Sequence, residues 1–399
     1  MHKIKNFLRI IIAYFYLLYY RFPQKKLHIV GITGTDGKTT TANFLYQLLS
    51  RNGYKVGLIS TINAQIGDKK IDTGFHVTSP APQVVIKLLN QMVQSGIEYA
   101  VLEVTSHGLS QNRFAGIHFD YGVITNITSD HLDYHKTYKN YLYAKAKLIL
   151  KSTLTFINKD DKLSFKQLKQ IAFKNSKKVK PYSLEYLSAE YRKLLKKTLK
   201  TNYPGVYNQQ NALAALVVFA YINGKEISKN DILDLKELKP LTGRFNKIDN
   251  QFGINIVIDF AHTPNALFRI LSEINNLRNS NEKIISVFGC AGLRDASKRP
   301  VMGQIAGKLA DMVIVTAEDP RTEKLNKINE QIVSGIKNVN GKYEVEENRQ
   351  NAINKAISMA KPGDWVVITG KGHEKSMCFG ATETPWSDFQ AVEKALRRL

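Results

Sequence analysis

A glycine-rich segment near the amino terminus limits the possible folds of this chain more than any other feature. An apolar run over residues 27–33 leads into the sequence GTDGKTT at residues 34–40, and a helical pattern follows. Glycines let backbone N–H groups turn toward an anion, and the next helix points its positive end to the same place. Lys38 can then reach the β- and γ-phosphates of a nucleotide, while Thr39 can bind Mg²⁺. The segment predicts a phosphate-binding loop, in a variant spacing with Ile32 where the general motif has glycine.

Short apolar runs alternate with amphipathic helical patterns along the rest of the chain. Strands are predicted over residues 27–32, 56–60, 99–104, 121–127, 256–260, 284–289, 312–316 and 365–369. Helices are predicted over residues 39–50, 84–94, 141–152 and 348–359. This alternation predicts an α/β fold with two doubly wound domains. We assign residues 26–241 to a P-loop-type central domain with a mostly parallel sheet, and residues 242–399 to a Rossmann-like α/β domain.

The composition favours anionic partners. The 399 residues include 57 Lys and Arg against 34 Asp and Glu, a formal net charge of +23, which suits nucleotides, phosphorylated sugars or an acidic membrane surface. Because no RNA-binding signature or basic recognition helix is present, we expect no nucleic-acid partner. The lysine-rich stretch 159–200 is predicted to be a solvated excursion. Cys290 and Cys378 lack the spacing of zinc ligands, which favours a reducing, cytoplasmic compartment.

The apolar segment Phe7–Tyr20 is predicted to form a helix. It is shorter than the ~20 apolar residues that a membrane-spanning helix needs, and it contains Arg9. No small-residue cleavage site follows it, which argues against a signal peptide. Two interpretations stay open. The helix packs on the protein's own surface, or it lies at the inner face of a membrane, where its tyrosines and flanking cations would suit the headgroups.

Polar residues follow two of the predicted strands, at the position where ligands of α/β sheets bind. Glu103 begins the run EVTSHG at residues 103–108, and His131 lies in the run TSDHLDYH at residues 128–135. A carboxylate and an imidazole close to bound phosphates can hold a hard cation. We therefore expect Glu103 and His131 to bind a metal beside the phosphate-binding loop.

A series of motifs in one fixed order extends from residue 27 to the end of the chain. The segments are GTDGKT (34–39), TSP (78–80), EVTSHG (103–108), TN (125–126), DHLDYH (130–135), YNQQNA (207–212), GRF (243–245), DFAHTP (259–264), VFGC (287–290), DPR (319–321) and GKGHE (370–374). With these segments the chain resembles the Mur ligase family, most closely its muramyl-tripeptide synthetases. So many motifs in one order make a chance similarity negligible.

The resemblance implies an ATP-dependent ligase of peptidoglycan synthesis that adds a free diamino acid to UDP-N-acetylmuramyl-L-alanyl-D-glutamate or a related muramyl peptide. The γ-phosphoryl group of ATP would pass to a substrate carboxylate, and an amine would displace phosphate from the acyl phosphate. Lys38 would steady the transferring group. Thr39 and Glu103 would hold one Mg²⁺. His131 and Lys145 would hold a second, with Lys145 carbamylated by CO₂ so that it offers an anionic oxygen ligand.

The resemblance also implies three groups of binding residues. ATP would contact Gly34, Thr35, Asp36, Gly37, Lys38, Thr39, Thr40, Asn208, Asn211, Arg244 and Asp259. The muramyl peptide would contact Thr78, Ser79, Thr105, Gln111 and Arg113. The incoming amino acid would contact Arg294, Asp319, Arg321, Gly370 and Glu374. In the last group an arginine suits a carboxylate and an acid suits an ammonium group.

Departures from the family pattern bear on substrate specificity. The chain has Glu-Asp-Pro-Arg at residues 318–321, where diaminopimelate enzymes usually have Asp-Asn-Pro-Arg. Arg321 favours diaminopimelate, whereas the extra anion at Asp319 favours lysine or ornithine; we give preference to diaminopimelate. Leu293 and Asn265 each replace a usual aspartate. Residues 1–25 stand where family members carry a UDP-binding domain, so a lipid-linked acyl substrate is an alternative to a UDP-linked one.

Two other functions stay open at this point. The first is an amide ligase for another carboxylate, similar to folylpolyglutamate and polyglutamate synthetases, against which the segments 78–80 and 319–321 argue. The second is a non-catalytic nucleotide-binding scaffold, against which the presence of Lys38, Glu103, His131 and Lys145 argues. We expect the protein to be a monomer.

Overall fold

The computed structural model describes residues 2–67, 69–71 and 79–399, leaving aside the side chains of residues 2 and 3. Contacts between residues divide the chain into two compact units. Unit 1 comprises Met1–Ser129, His135–Lys200 and Val206–Lys239, and unit 2 comprises Asp130–Tyr134, Thr201–Gly205 and Pro240–Leu399.

Unit 1 is built on an eight-stranded, mostly parallel sheet. Its strands are β1 (His28–Thr33), β2 (Val56–Ile59), β3 (Ala64–Ile66), β4 (Lys69–Ile71), β5 (Tyr99–Glu103), β6 (Phe119–Ile124), β7 (Ser152–Asn158) and β8 (Lys178–Tyr182). Their order across the sheet is β4-β3-β2-β5-β1-β6-β7-β8. Neighbours from β2 to β8 are parallel, while β3 and β4 form an antiparallel extension. The central strands are buried on both faces, as expected of a parallel sheet.

In the described part of the chain, ten α-helices begin between residues 2 and 229. They are α1 (His2–Tyr19), α2 (Lys38–Arg51), α3 (Pro82–Gln94), α4 (Ser106–Ser110), α5 (Leu132–His135), α6 (Tyr138–Lys151), α7 (Lys162–Lys174), α8 (Ala189–Leu199), α9 (Val206–Ile222) and α10 (Lys229–Asp234). Side-chain caps fix several of their starts: Thr105 accepts from the N–H of Gly108 in α4, and Thr137 accepts from Asn140 in α6. Short 3₁₀ turns cover Pro23–Lys26, Leu184–Tyr186 and Leu235–Glu237.

Helix α1 packs on unit 1 along one face only. Ala13 and Leu17 are fully buried and form a small cluster with Ile86 of α3 and with Ala115. Gly116, at a φ of 70°, makes room for this contact, because a Cβ there would overlap a methyl group of Leu17. Among the described residues, no helix is long and apolar enough to cross a membrane.

The lysine-rich stretch 159–200 is part of the fold, so its prediction as an excursion was wrong, although most of its lysines are exposed to solvent as predicted. It contains α7, β8 and α8, and β8 extends the sheet by pairing in parallel with β7. Leu168 and Ala172 of α7 and Leu195 and Leu199 of α8 are buried at the spacing of a helix face. The many lysines between them hid this pattern in the sequence.

Unit 2 contains a six-stranded sheet and a separate hairpin. Its strands are β9 (Asn246–Ile248), β10 (Asn255–Asp259), β11 (Ile284–Phe288), β12 (Met312–Val315), β13 (Tyr343–Val345), β14 (Trp365–Thr369), β15 (Ser376–Phe379) and β16 (Thr382–Pro385). Its helices are α11 (Pro264–Leu277), α12 (Lys298–Leu309), α13 (Leu325–Lys337), α14 (Arg349–Met359) and α15 (Asp388–Leu396). The sheet order is β13-β12-β11-β14-β10-β9, with only β9 antiparallel to its neighbour. Apolar clusters cover both faces of this sheet.

A fully buried ion pair fixes the carboxyl ends of two strands in unit 2. Arg349, at the start of α14, forms two hydrogen bonds to Asp388 of α15, of 2.8 and 2.9 Å. The same guanidinium donates to the carbonyl oxygens of Ala317, after β12, and Thr369, at the end of β14. Trp386 donates its indole N–H to Asp388. The pair therefore holds the segments that begin at residues 318 and 370, both of which carry predicted site residues.

The predicted α/β fold is confirmed, with a parallel sheet in each unit. The predicted strands are present with small differences at their ends. The largest difference is at residues 121–127, where the strand runs instead over Phe119–Ile124. Residues 125 and 126 leave the sheet because their side chains bond to the phosphate-binding loop.

Replacing Arg349 with methionine should lower the free energy of unfolding of unit 2 by roughly 3–5 kcal/mol, because Asp388 would be buried without its cation. Both tryptophans of the chain, Trp365 and Trp386, lie in unit 2. Tryptophan fluorescence during denaturant unfolding therefore reports this unit selectively.

The matched control is Arg397→Met. Arg397 pairs with Glu393 on the same helix, but the two side chains are 75% and 61% exposed, so the loss should be small. Equal losses in the two variants would contradict the role given to the buried pair.

Candidate functional site

The phosphate-binding loop lies between β1 and α2 and is braced from a neighbouring segment. Gly37 has a φ of 82°, and a Cβ there would overlap the side-chain oxygen of Asn211. The N–H of Thr35 donates to the carbonyl of Asn126 at 2.7 Å, and the N–H of Asp36 donates to the Asn126 side chain at 3.1 Å. Lys38 begins α2 and donates from Nζ to the Thr35 carbonyl at 2.8 Å. These contacts fix the conformation of the loop, and the ammonium group of Lys38 is hydrogen-bonded to it.

Glu103 lies at the end of β5, beside Ile32 of β1 in the sheet register. Its two carboxylate oxygens accept from the hydroxyl of Thr39 at 3.1 and 3.0 Å, and one also accepts from the N–H of Thr61 at 3.0 Å. Glu103 is buried. Within the described part of the chain, no Lys, Arg or His forms an ion pair with it. A buried carboxylate in this state favours binding of a cation.

The donor set around Glu103 fits Mg²⁺. A carboxylate and a threonine hydroxyl are hard oxygen ligands, and Mg²⁺ commonly takes one or two carboxylates, with phosphate oxygens and waters completing its coordination. Among the described residues, no group of three or more His, Cys, Asp or Glu side chains is arranged to hold a metal ion. With one carboxylate and one hydroxyl from the protein, the site suits a cation that arrives with a nucleotide.

Lys145 is buried in α6 and lies against the same loop. Its Nζ donates to the carbonyl of Gly34 at 2.5 Å and lies 4.6 Å from the centre of the Tyr141 ring. The hydroxyl of Tyr141 is 3.1 Å from that of Thr35. A lysine that sequence alone would place on an exposed helix face is thus a component of the loop's surroundings.

Four residues predicted to bind the acyl substrate form one group in unit 1. Thr105 donates from its N–H and hydroxyl to the Ser79 hydroxyl at 3.1 and 2.8 Å. Arg113 donates twice to the side-chain oxygen of Gln111, at 3.1 and 2.8 Å, and once to the Ser79 carbonyl. Thr78, the fifth predicted member, lies outside the described residues.

The two asparagines predicted to contact adenine also lie beside the loop. Asn208 and Asn211 are buried on α9, and Asn211 donates to Asn208 at 3.4 Å. Because Asn211 is the residue that a Cβ at Gly37 would meet, this pair borders the start of α2. The structure therefore brings the asparagines and the phosphate-binding loop together.

His131 belongs by its contacts to unit 2, whereas Lys145 belongs to unit 1, so the structure does not bring these two together within one unit. His131 has a φ of 55°, and its Nε2 lies 3.5 Å from a carboxylate oxygen of Asp130. Burial raises the pKa of Asp130, but the charges of His131 and Lys298 outweigh it and lower the pKa to about 2. Asp130 is therefore a carboxylate that orients His131.

Arg244 and Asp259 are brought together around Phe260 in unit 2. Asp259 accepts from the N–H groups of Phe245 and Ala261, both at 2.7 Å, and the Arg244 guanidinium lies 4.8 Å from the Phe260 ring centre. The ring of His373 is also close, with its centre 4.7 Å from that of the Phe260 ring. Burial, and then the charge of Arg244, lower the pKa of His373 to about 3, so its ring is neutral at pH 7.

The residues predicted to bind the amino acid form a charged cluster at the carboxyl ends of β12 and β14. Lys371 is buried, and its Nζ pairs with Asp319 at 2.9 Å and with Glu374 at 2.5 Å. Asp319 also accepts from the N–H of Cys378 at 3.0 Å. The negative charge of Asp319, which in the sequence analysis counts against diaminopimelate, is thus paired with the buried ammonium group of Lys371.

Two arginines of this cluster form no ion pair with a carboxylate. Arg321, at a φ of 53°, donates to the carbonyl of Gly292 at 2.9 Å. Partial burial, and then the positive charge of Arg321, lower the pKa of Arg294. Within the described residues neither arginine has an Asp or Glu within ion-pair distance. The pair is therefore suited to an anionic group of a ligand.

Sequence reasoning missed three residues of these groups: Glu318, Lys371 and His373. All three lie inside motifs that the sequence did single out, but nothing in their spacing indicates burial. Glu318 lies against Gly370, whose φ is 108° and where a Cβ would crowd the Glu318 carboxylate. Within the described residues the Oε2 atom of Glu318 has no hydrogen-bond partner. Burial raises the pKa of Glu318 to about 7, despite the opposing charge of Lys298.

This buried acid should make the stability of unit 2 depend on pH. Glu318 holds its proton more tightly in the folded chain, with a pKa of about 7, than at its ordinary value of 4.5. The stabilisation is complete below about pH 4.5 and is lost as pH rises through 7. It amounts to roughly 3 kcal/mol, since a tenfold change in proton affinity corresponds to about 1.4 kcal/mol.

The variant Glu318→Gln removes this titration. Tryptophan fluorescence gives the free energy of unfolding of the native chain and of the variant at pH 5 and pH 8. The native value minus the variant value should be roughly 2–3 kcal/mol smaller at pH 8 than at pH 5. A difference that stays constant over this range would show that Glu318 is ionised in the folded chain.

Comparisons with known proteins agree with this arrangement. Residues 32–219 match the Mur ligase middle domain, and residues 243–372 match the Mur ligase glutamate ligase domain. The chain is 39% identical over 397 residues to UDP-N-acetylmuramoyl-L-alanyl-D-glutamate--2,6-diaminopimelate ligase 1 of Clostridium acetobutylicum. The aligned region covers 96% of this chain and 80% of that protein.

Two solved structures show the same fold. A UDP-N-acetylmuramoyl-L-alanyl-D-glutamate--2,6-diaminopimelate ligase is 28% identical with a TM-score of 0.58, over 95% of this chain and 81% of that one. The Mycobacterium tuberculosis folylpolyglutamate synthase complexed with ADP is 18% identical with a TM-score of 0.70, over 91% of each chain, and shows the fold alone. The predicted resemblance is confirmed: the chain belongs to the Mur ligase family and is an ATP-dependent ligase that forms amide bonds.

Proposed function

We propose that the protein joins 2,6-diaminopimelate to the glutamyl carboxylate of UDP-N-acetylmuramoyl-L-alanyl-D-glutamate or a closely related muramyl peptide, through an acyl phosphate. The names of the relatives supply the reaction. The choice of amino acid rests on one observation in this chain. Lys371 forms an ion pair with Asp319, while Arg321 and Arg294 have no carboxylate within ion-pair distance among the described residues. A ligand with a distal carboxylate suits such a site, whereas the distal ammonium of lysine does not.

The residues of unit 1 provide the charge control that phosphoryl transfer needs. Lys38 reaches the terminal phosphates and offsets their negative charge. Thr39 and Glu103 would hold Mg²⁺, which neutralises charge on the phosphates when bound. We propose that Asn208 and Asn211 contact the adenine, and that Arg244 and Asp259 also contact ATP.

The acyl substrate is proposed to bind at the group formed by Ser79, Thr105, Gln111 and Arg113. Arg113 already donates three hydrogen bonds there, so its guanidinium is held in a fixed orientation for an anionic group of the muramyl peptide. Thr78 is proposed to extend this group. Holding the substrate carboxylate close to ATP accelerates phosphoryl transfer mainly by positioning the reacting groups.

The first test of the proposal is a coupled assay with purified protein, Mg²⁺-ATP and UDP-N-acetylmuramoyl-L-alanyl-D-glutamate. Phosphate release should require an amino acid, with diaminopimelate preferred over lysine and ornithine, and mass spectrometry should show the corresponding tripeptide. Arg321→Met should lower kcat/KM for diaminopimelate about 10- to 100-fold, since hydrogen bonds to charged groups contribute roughly 1.5–3 kcal/mol.

Arg278→Met is the control for that variant, because Arg278 pairs with Asp311 just before the amino end of β12, whereas the cluster lies beyond the carboxyl end of that strand. It should leave kcat/KM unchanged. Faster ligation of lysine than of diaminopimelate would refute the proposed specificity. ATP binding without phosphate release, whichever amino acid is added with the acyl substrate, would instead support a non-catalytic scaffold.

We also propose that Lys145 is carbamylated and, with His131, takes part in metal binding. The ammonium group first loses one proton to solvent, and the neutral amine then adds to CO₂ and loses a second proton. A buried cation thereby becomes an anionic oxygen ligand, and one N–H is left to donate to Gly34. Protein kept in ¹³C-bicarbonate should show a carbamate carbonyl signal by NMR. Lys145→Arg should remove the signal and the ligase activity.

Lys147→Arg, two residues along the same helix, is the matched control and should keep both the signal and the activity. A native protein that is fully active without any carbamate signal would exclude the modification. A signal that persists in Lys145→Arg would place it on another lysine.

A further inference from the structure

Helix α1 has two apolar faces, and the structure covers only one of them. The stripe through Ala13 and Leu17 packs on unit 1. The opposite face exposes a continuous set of large apolar side chains: Ile4, Phe7, Leu8, Ile11, Ile12, Tyr14, Phe15, Leu18 and Tyr19. Monomeric proteins rarely expose a contiguous apolar surface of this kind unless it binds a partner. We call these nine residues the outer face of α1.

The charged side chains along α1 and just after it are all positive. The first 35 residues contain no Asp or Glu, and the first acidic residue is Asp36. Lys5 is exposed near the start of α1, and Arg21, Lys25 and Lys26 are exposed just after its end. An apolar face flanked by cations at both ends has the composition of a helix that lies in the interface of a bilayer.

We propose that the outer face of α1 docks the protein onto a membrane surface rich in anionic lipid. The packed stripe keeps the helix attached to unit 1, so it lies in the plane of the surface and inserts only its outer side chains. The exposed cations then meet anionic headgroups. A second copy of this chain fits less well, since two such faces in a symmetric contact would bring their cations together.

Vesicle flotation of the full-length protein tests this proposal without any assay of activity. The native chain should float with phosphatidylcholine vesicles that contain 30% phosphatidylglycerol and bind at least tenfold more weakly to pure phosphatidylcholine. The double variant Phe15→Ser/Leu18→Ser, at two positions that are each 63% exposed, should weaken binding to the anionic vesicles at least tenfold.

The matched control is Phe173→Ser/Leu163→Ser, which removes the same two residue types from α7, where they are 86% and 65% exposed. It should bind vesicles like the native chain. Equal effects of the two double variants, or no flotation of the native chain, would overturn the proposal. So would sedimentation showing a dimer that Phe15→Ser/Leu18→Ser dissociates while the vesicles stay free of protein. Fluorescent-ATP binding by each variant, which should be unchanged, verifies folding independently of the ligase assignment.

Discussion

Buried charge at the carboxyl ends of parallel strands is the constraint on which this structure depends. In unit 2, Arg349 and Asp388 neutralise each other and hold the ends of β12 and β14. Just beyond those ends, Lys371 forms ion pairs with both Asp319 and Glu374. In unit 1, Glu103 is bonded to Thr39 but lacks a cation among the described residues. Because a buried charge is costly unless it is paired, an incompletely balanced position favours binding of a charged ligand.

Each unit is therefore complementary to a different ligand chemistry. Around the loop of unit 1, Lys38 and the carboxylate of Glu103 suit an anionic nucleotide together with its cation. In unit 2, the guanidinium groups of Arg294 and Arg321 suit a carboxylate. The fixed strand ends keep these groups in place before any ligand arrives, and such preorganisation is the main protein contribution to phosphoryl transfer and to amide formation.

The sequence predicted the parallel sheets and the phosphate-binding loop, because period and glycine spacing are local signals. It did not predict β8, since the lysines around it concealed the buried positions of the two adjacent helices. Nor did it indicate that Lys145 and Lys371 are buried: the sequence alone gives no sign that a lysine is buried when its partner is Gly34 or Asp319, which lie far away along the chain. Charge balance at Asp319 likewise depends on a tertiary contact, so the motif alone pointed both to diaminopimelate and to lysine.

Isotope transfer can show whether ATP activates the substrate carboxylate as an acyl phosphate. The acyl substrate is prepared with ¹⁸O in both oxygens of the reacting carboxylate and is ligated with Mg²⁺-ATP and diaminopimelate. One labelled oxygen attacks the γ-phosphorus and leaves with phosphate when the amine forms the amide. We expect one ¹⁸O in each phosphate released and one in the new amide. Unlabelled phosphate, with ADP still formed, would exclude an acyl phosphate.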